Sequence, residues 1–290
     1  MMIYLLLSIL SSTLLLVILK SFNRWKINIL HGIIFNYYTA AIFSFLVAPA
    51  VVAEHIHELN NLWYVCALIG LSFILVFFII GKTTQELGVA VASVASKMSM
   101  VIPITAGLIL YNESMNVQKL TGILIAIPAV ILVSIPASGK EKIGLNISSV
   151  WLPVVLFIGA GLVDTAIKYV QFKYMNDGNR QLIIMSIFGF AGLIGTFRLL
   201  YEILYLKKKL LVRSIAGGIL LGITNYLSIY FLLKCLEDPS SESSTVFAFV
   251  NIGVVITSFF SGLILFKEKP ERNKIIGVIL SLLAIAVLSI

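Results

Sequence analysis

The chain alternates long apolar runs with short polar connections. Each run is close to the roughly 20 residues that a helix needs to cross the hydrocarbon core of a bilayer. Strands of a membrane barrel would be about 10 residues long and would alternate in polarity. The pattern therefore predicts ten transmembrane helices. These spans are expected at 2–20, 30–52, 61–81, 87–111, 118–137, 150–172, 181–205, 212–236, 243–266 and 273–290.

The segment from Gly88 to Ile135, two apolar runs joined by a polar turn, recurs later in the chain. The matching positions, at a constant offset of 155 residues, are Gly107 with Gly262, Glu113 with Glu268, Lys119 with Lys274, and Gly122 with Gly277. The recurrence predicts a duplicated unit with five spans in each copy. The polar linker 138–149 separates the copies, so the predicted halves are 1–138 and 139–290.

Lysine and arginine are distributed unevenly between the two sets of connections. Fourteen of them lie in or beside the connections after spans 1, 3, 5, 7 and 9, whereas Lys119, Lys173 and Arg180 lie on the other side. Basic residues mark cytoplasmic connections, which predicts that both termini are extracytoplasmic. An odd number of spans in each half inserts the two halves in opposite orientations. The predicted fold is all-α: a polytopic bundle of two inverted five-helix repeats around a central cavity.

Composition excludes several classes of protein. Hydrophobic residues make up 60% of the chain and charged residues 12%, whereas soluble domains carry about 25% charged residues. The net charge of +8 is attributed to the cytoplasmic connections, so no nucleic-acid partner is expected. Cys66 and Cys235 lie in apolar runs and are expected to pack as small hydrophobic side chains. The N-terminus lacks the basic region of a signal peptide and is predicted to be the first span.

The paired motif resembles the drug/metabolite transporter superfamily, in particular its ten-span, EamA-like branch. The match consists of Pro103 followed by the run 107–113 and Gly122, and of the run 262–268 followed by Gly277. Ser258 stands where the first copy has its proline, so a helix break is implied only for the first half. The resemblance implies a basket of helices around a central cavity, with spans 5 and 10 at the periphery. The family carries many classes of metabolite, so the substrate stays open.

Lys97 lies within span 4, where an ionisable group costs about 2.5–3.5 kcal/mol on insertion scales. It shares a helix face with Ser93, Ser96 and Met100, at spacings of three and four residues. We expect a cation that faces the cavity and holds an anionic group of the substrate. A structural ion pair that closes the bundle is the alternative.

Asp164 and Lys168 lie four residues apart in span 6 and so share one helix face. They could neutralise each other, and Lys168 could extend to the headgroups. Asp164 is the stronger candidate for substrate binding, with Lys168 beside it.

Three amides inside spans complete the candidate substrate site: Asn36 in span 2, Asn225 in span 8 and Asn251 in span 9. Asn251 takes the repeat position of Ser96 at the offset of 155 residues. Such amides also form hydrogen bonds between membrane helices, worth about 0.6 kcal/mol each. A structural role is therefore the alternative for each of them.

Glu113 and Glu268 each end a span beside a tight turn. We expect them to cap helices or to pair with Lys119 and Lys274, rather than to react. His55 and His57 lie in a connection and form a weak metal signal, so no metal is expected. The chain has no phosphate-binding loop, no G-x-S-x-G and no H-E-x-x-H sequence. No catalytic residue, cofactor or enzymatic activity is therefore predicted.

The function expected from these patterns is secondary active transport. Two inverted halves can alternate between outward-open and inward-open states around a site at the midplane. The substrate is expected to be a small polar metabolite, such as an amino acid or organic acid, that carries an anionic group. Pairing of Lys97 with Asp164 in the empty protein would couple anion binding to protonation, since a carboxyl left buried and unpaired tends to take up a proton.

Three alternatives stay open: an exporter of organic cations or drugs that uses Asp164, a membrane-embedded enzyme, and a passive channel or scaffold. The expected location is the bacterial cytoplasmic (inner) membrane, where the surrounding lipid bilayer is the constant partner. A functional monomer is the simplest expectation.

Overall fold

The computed structural model describes residues 2–110, 117–135, 147–176, 178–236, 243–269 and 271–288, and every regular element in these ranges is helical. The helices are α1 (Met2–Arg24), α2 (Ile29–Val47), α3 (Pro49–His55), α4 (Leu59–Leu87), α5 (Val89–Met98), α6 (Val101–Leu110), α7 (Val117–Ser134), α8 (Ile147–Tyr174), α9 (Arg180–Leu204), α10 (Val212–Leu236), α11 (Ser243–Phe266) and α12 (Arg272–Leu288). A 3₁₀ turn, Ile56–Glu58, joins α3 to α4.

Helices occupy the positions of all ten predicted spans. Within the described ranges, nine helical segments are long and apolar enough to cross a bilayer. The tenth span corresponds to α12, which has 17 residues. The chain is therefore an integral, polytopic membrane protein built from helices, as the hydropathy pattern predicts.

The predicted end of span 2 is wrong by five residues. Span 2 was expected to run to Val52, but α2 ends at Val47 and the separate helix α3 begins at Pro49. A proline disfavours the helical conformation at the residue before it, and Ala48 has φ −144° and ψ 60°. Proline suits the first turn of a new helix, because the amide it lacks would have no partner there. Hydropathy alone does not detect this interruption.

The helices divide into two compact units. Unit 1 contains Met1–Lys20, Ile79–Leu162 and Ser228–Ile290, and unit 2 contains Ser21–Phe78 and Val163–Leu227. Each unit takes residues from both predicted halves, and the long helices α1, α4, α8 and α10 contribute segments to both units. The division into halves 1–138 and 139–290 stays a prediction.

Helices that lie 155 residues apart along the chain pack against each other inside each unit. In unit 1, α12 packs along α7 and α11 packs against α5; in unit 2, α2 packs along α9. Adding 155 to the bounds of α5, α7 and α2 gives segments that fall within, or within one residue of, α11, α12 and α9 respectively.

Each unit has its own apolar core, and each core contains one cysteine. Cys235 packs with Ile9 and with residues of α11 in unit 1. Cys66 packs with Ile183 and Ile187 in unit 2. Both thiols are unbridged and buried, which confirms their expected role as small hydrophobic side chains.

Candidate functional site

Span 4 is interrupted near its middle. Helix α5 ends at Met98 and α6 begins at Val101. In a continuous helix the amide of residue 103 would donate to the carbonyl of Ser99, but Pro103 has no amide proton. The Ser99 carbonyl instead accepts from the Ile102 amide at 2.9 Å, a three-residue spacing that tightens the backbone at this point. The break lies just before the proline of the repeated motif.

Lys97 lies in the last turn of α5, directly before this break, and its side chain is half-buried. The two serines expected on its face donate to their own helix. Ser93 Oγ donates to the Ala90 carbonyl at 2.9 Å, and Ser96 Oγ donates to the Ser93 carbonyl at 3.2 Å. Ser93 is fully buried, whereas Ser96 and Lys97 are half-buried, so Ser96 and Lys97 are the polar side chains that this face of α5 partly exposes.

Asn251 also lies at the interruption of span 4. It belongs to α11, which packs against α5 within unit 1. Its Nδ2 atom is 4.0 Å from the sulfur of Met100, one of the two residues between α5 and α6. A thioether is a weak acceptor. The structure thus brings two of the predicted site residues, Lys97 and Asn251, to the same interrupted segment.

Asn36 and Asn225 form a buried amide pair in unit 2. Asn225 Nδ2 donates to Asn36 Oδ1 at 3.1 Å. Helices α2 and α10 approach closely here, since a Cβ at Gly222 would lie 2.6 Å from the Asn36 carbonyl oxygen. Among the described residues, Asn36 Nδ2 has no hydrogen-bond partner. The pair therefore joins two helices and keeps one buried donor available.

Asp164 and Lys168 lie in the part of α8 that belongs to unit 2, and both side chains are exposed. Lys97 belongs to unit 1. The expected pairing of Lys97 with Asp164 therefore joins residues of different units and stays a prediction.

Glu268 caps the N-terminus of α5. Its Oε1 accepts from the Val89 amide at 3.1 Å and lies 3.5 Å from Lys20 Nζ. Gly88 and Gly262 make room for this carboxylate, since a Cβ on either would lie 2.6 Å from Glu268 Oε2. Gly88 has φ +112° and ψ 165°, a conformation almost restricted to glycine.

Of the two roles expected for Glu268, capping or pairing with Lys274, the structure shows capping. The carboxylate lies against α5 and Lys20, whereas Lys274 Nζ lies 3.6 Å from Glu271 Oε2. The space beside Gly88 and Gly262 determines the direction of the Glu268 side chain. The spacing of residues 268 and 274 along the chain does not reveal this direction. Glu113 lies outside the described residues.

A second charged cluster, in unit 2, surrounds Glu202 near the end of α9. Its carboxylate is almost fully buried. Glu202 Oε2 lies 3.3 Å from His31 Nε2 and 3.2 Å from Lys208 Nζ, and Oε1 lies 3.4 Å from Arg198 Nη2. Lys207 turns the chain with φ 51°, so that Lys208 returns over the helix end and its amide donates to the Glu202 carbonyl at 3.0 Å. We call these four side chains the Glu202 cluster.

The Glu202 cluster was not expected from the sequence. Arg198 and Glu202 are four residues apart inside a predicted span, a spacing that places both on one helix face. The sequence feature that could have indicated the cluster is the presence of ionisable residues inside apolar spans: Arg198 and Glu202 in span 7 and His31 in span 2. Among the described residues, no group of three or more His, Cys, Asp or Glu side chains is placed to hold a metal ion.

Comparison with known proteins finds a similar protein whose name gives no activity. No protein-family model matches the chain. The chain is similar to an uncharacterized protein of Haemophilus influenzae, with 29% identity over 285 residues that cover 96% of this chain and 94% of that protein. The similarity therefore covers nearly the whole chain.

Proposed function

We propose that this protein is a secondary active transporter that moves a small polar metabolite with an anionic group across the bacterial cytoplasmic membrane by alternating access. The observation that carries the proposal is the interrupted span 4, which has the half-buried Lys97 beside its break. Discontinuous membrane helices typically form the substrate sites of secondary transporters. An ionisable group within a span is a functional candidate, because it is costly to keep there.

The contacts inside unit 2 support the two-fold repeat on which the proposed alternating access is built. At the offset of 155 residues, Asn36 corresponds to Ala191 and Asn225 to Gly70. Asn36 contacts Asn225, and a Cβ at Gly70 would lie 2.8 Å from the Ala191 backbone nitrogen. Exchanging the two halves converts the contact between Asn36 and Asn225 into the contact between Ala191 and Gly70. A pseudo-two-fold axis relates contacts in this way. The EamA-like branch of the drug/metabolite transporters remains the family we propose.

Under this proposal, two neighbouring side chains of unit 1 would meet the substrate. Lys97 would bind the anionic group, and Asn251 beside it would supply amide donors and an acceptor. Within unit 2, Asn36 Nδ2 would donate to an oxygen that reaches it. These contacts are short and directional, so they would select a compact polar metabolite.

Asp164 would couple transport to protons. Its carboxyl would take up a proton when a step of the transport cycle removed it from water, because burial disfavours the charged form. In proteoliposomes, Asp164→Asn should therefore abolish the dependence of uptake on a proton gradient. Proton-driven uptake that survives in this variant would remove Asp164 from the mechanism.

The first test is ligand-induced thermal stabilisation of the purified protein. A compound that binds only the folded state raises its stability by mass action. We expect anionic or zwitterionic metabolites to stabilise the native protein and Lys82→Met, but not Lys97→Met. Lys82 is a suitable control because it lies half-exposed beside Glu86. Equal stabilisation of both variants would exclude Lys97 as the anion-binding residue.

An exporter of organic cations is the second candidate, because Asp164 is exposed within an apolar helix. Stabilisation by amines that persists in Lys97→Met and disappears in Asp164→Asn would favour this function. A compound that is chemically converted instead of moved would point to a membrane-embedded enzyme.

A further inference from the structure

Unit 2 has a groove that no part of the proposed transport cycle uses. It has a volume of about 530 Å³ and is lined by residues of α4 and α9 and by the start of α2. Three large apolar side chains of α4 form one wall: Leu71, Leu75 and Phe78. All three are exposed, between 37% and 56%. This wall is open to whatever surrounds the protein.

The other end of the groove is charged. Arg198, Glu202 and Lys208 line it together with Asn28. Asn28 caps α2 through its Oδ1 atom, which accepts from the Leu30 and His31 amides. The groove thus has an apolar part and a charged part. An amphiphilic ligand, with an apolar chain and a polar headgroup, has the same two parts.

The charges at the polar end do not balance. Arg198 and Lys208 each carry a positive charge, and Glu202 is the single carboxylate between them. A guanidinium has five N–H donors and an ammonium three, so one carboxylate cannot occupy them all. The Arg198 and Lys208 side chains are 54% and 48% exposed, whereas Glu202 is 5% exposed. A surplus positive charge therefore faces outward, at the mouth of the groove.

We propose that this groove is a binding site for an anionic phospholipid, with the phosphate against Arg198 and Lys208 and an acyl chain along Leu71, Leu75 and Phe78. Basic pockets between membrane helices suit anionic headgroups. Arg198 lies six residues before the end of α9 at Leu204, and Lys208 lies four residues after it, where a spanning helix is expected to reach the headgroups. The apolar wall favours a lipid over a free phosphate, because a soluble anion would leave that wall exposed.

The test is thermal stabilisation of the purified, detergent-solubilised full-length protein by three probes: phosphatidylglycerol, phosphatidylcholine and glycerol phosphate. Phosphatidylglycerol should raise the unfolding temperature, and the other two should not. Equal stabilisation by phosphatidylcholine would show that the headgroup charge is not recognised. Equal stabilisation by glycerol phosphate would show a simple anion site. Either result would overturn the proposal, as would the absence of any effect of phosphatidylglycerol.

Charge variants should shift the phosphatidylglycerol affinity in opposite directions. Arg198→Gln should weaken it about tenfold, the effect of one charge-assisted hydrogen bond. Glu202→Gln should tighten binding, because it removes the competing carboxylate. Arg198→Gln alone leaves the buried Glu202 carboxylate with one partner fewer, and the double variant Arg198→Gln/Glu202→Gln avoids this. The double variant should bind phosphatidylglycerol more weakly than Glu202→Gln alone. If all three variants bound equally, the cluster would have no part in binding.

A groove-filling pair tests the acyl-chain wall. Leu75→Trp places a larger side chain in the groove and should reduce phosphatidylglycerol binding. Leu68→Trp, on the same helix, alters a residue that is 67% exposed and does not line the groove, and should bind normally. If both variants bound as the native protein does, the lipid would lie elsewhere and the proposal would be wrong. None of these measurements depends on transport.

Discussion

Glu268 and Glu202 are two largely buried carboxylates whose surroundings differ in net charge and in the space beside them. Glu268 meets one backbone amide and the ammonium of Lys20, in a space shaped by Gly88. Glu202 meets His31 and two cations, one of them Arg198, and lies beside an open groove. The first site is neutral and closed, whereas the second carries a surplus positive charge.

The difference distinguishes a structural contact from a binding site. At Glu268 the carboxylate accepts from the Val89 amide, one of the amides that the start of α5 leaves without a partner inside the helix. At Glu202 the carboxylate is satisfied, but the cations around it are not neutralised. A charge count over each cluster therefore separates the two roles better than burial does, because both carboxylates are mostly buried.

The largest effect is expected at Gly88. Gly88→Ala should lower the free energy of unfolding by about 3 kcal/mol, because alanine rarely adopts this backbone conformation and its Cβ would meet the Glu268 carboxylate. Gly189→Ala is the matched control, since nothing lies within 4 Å of a Cβ there. That control should be neutral or stabilising by up to about 1 kcal/mol. Denaturant titration of both proteins measures the difference, and equal stabilities would mean that the site around Glu268 is not tightly closed.

A smaller effect is expected in the Glu202 cluster. Arg198→Gln/Lys208→Gln should destabilise the protein by about 2 kcal/mol, because it leaves a buried carboxylate with His31 as its remaining partner. This is less than the 3–5 kcal/mol of a fully buried pair, since both cations are half-exposed. Adding Glu202→Gln should restore more than half of the loss in the same titration. A triple variant as unstable as the double would attribute the loss to the packing of the cation side chains.

The smallest effect is expected for Glu268→Gln. The amide oxygen can still accept from the Val89 amide, so the change removes only the partly exposed ion pair with Lys20. We expect a loss of about 1 kcal/mol, which should shrink as the salt concentration rises. Glu86→Gln, which removes an exposed pair with Lys82, serves as the control and should have almost no effect. A salt-independent loss at Glu268 would show that the carboxylate acts through packing alone.

The positions of the spans could be predicted from the sequence because the bilayer imposes length and polarity on each helix. The exceptions are local backbone effects. The hydropathy pattern predicted that span 2 continues past Pro49, because the residues there are still apolar. The helix α2 nevertheless ends before this proline. The break in span 4 lies four residues before Pro103, at the carbonyl whose donor the proline removes. The resemblance implied a break at this proline, but its position depends on the backbone hydrogen bonds.

The candidate site was predictable only where a residue is unusual by itself. Lys97 and the amides are conspicuous because they interrupt apolar runs. The Glu202 cluster depends instead on a contact between residues 171 positions apart, and the cap by Glu268 on one between residues 179 positions apart. No local pattern contains such pairings.

Because Glu268 is synthesised long after α5, the cap on α5 can form only late in biosynthesis. Ribosomes add about 5–20 residues per second, and 179 residues separate Val89 from Glu268. The start of α5 therefore waits roughly 10–35 s for its carboxylate, while six further helices are made. Until then Lys20 can donate to the Gln85 carbonyl, which lies 3.0 Å from its Nζ atom, but it lacks this carboxylate. The last helices to be inserted complete the first ones.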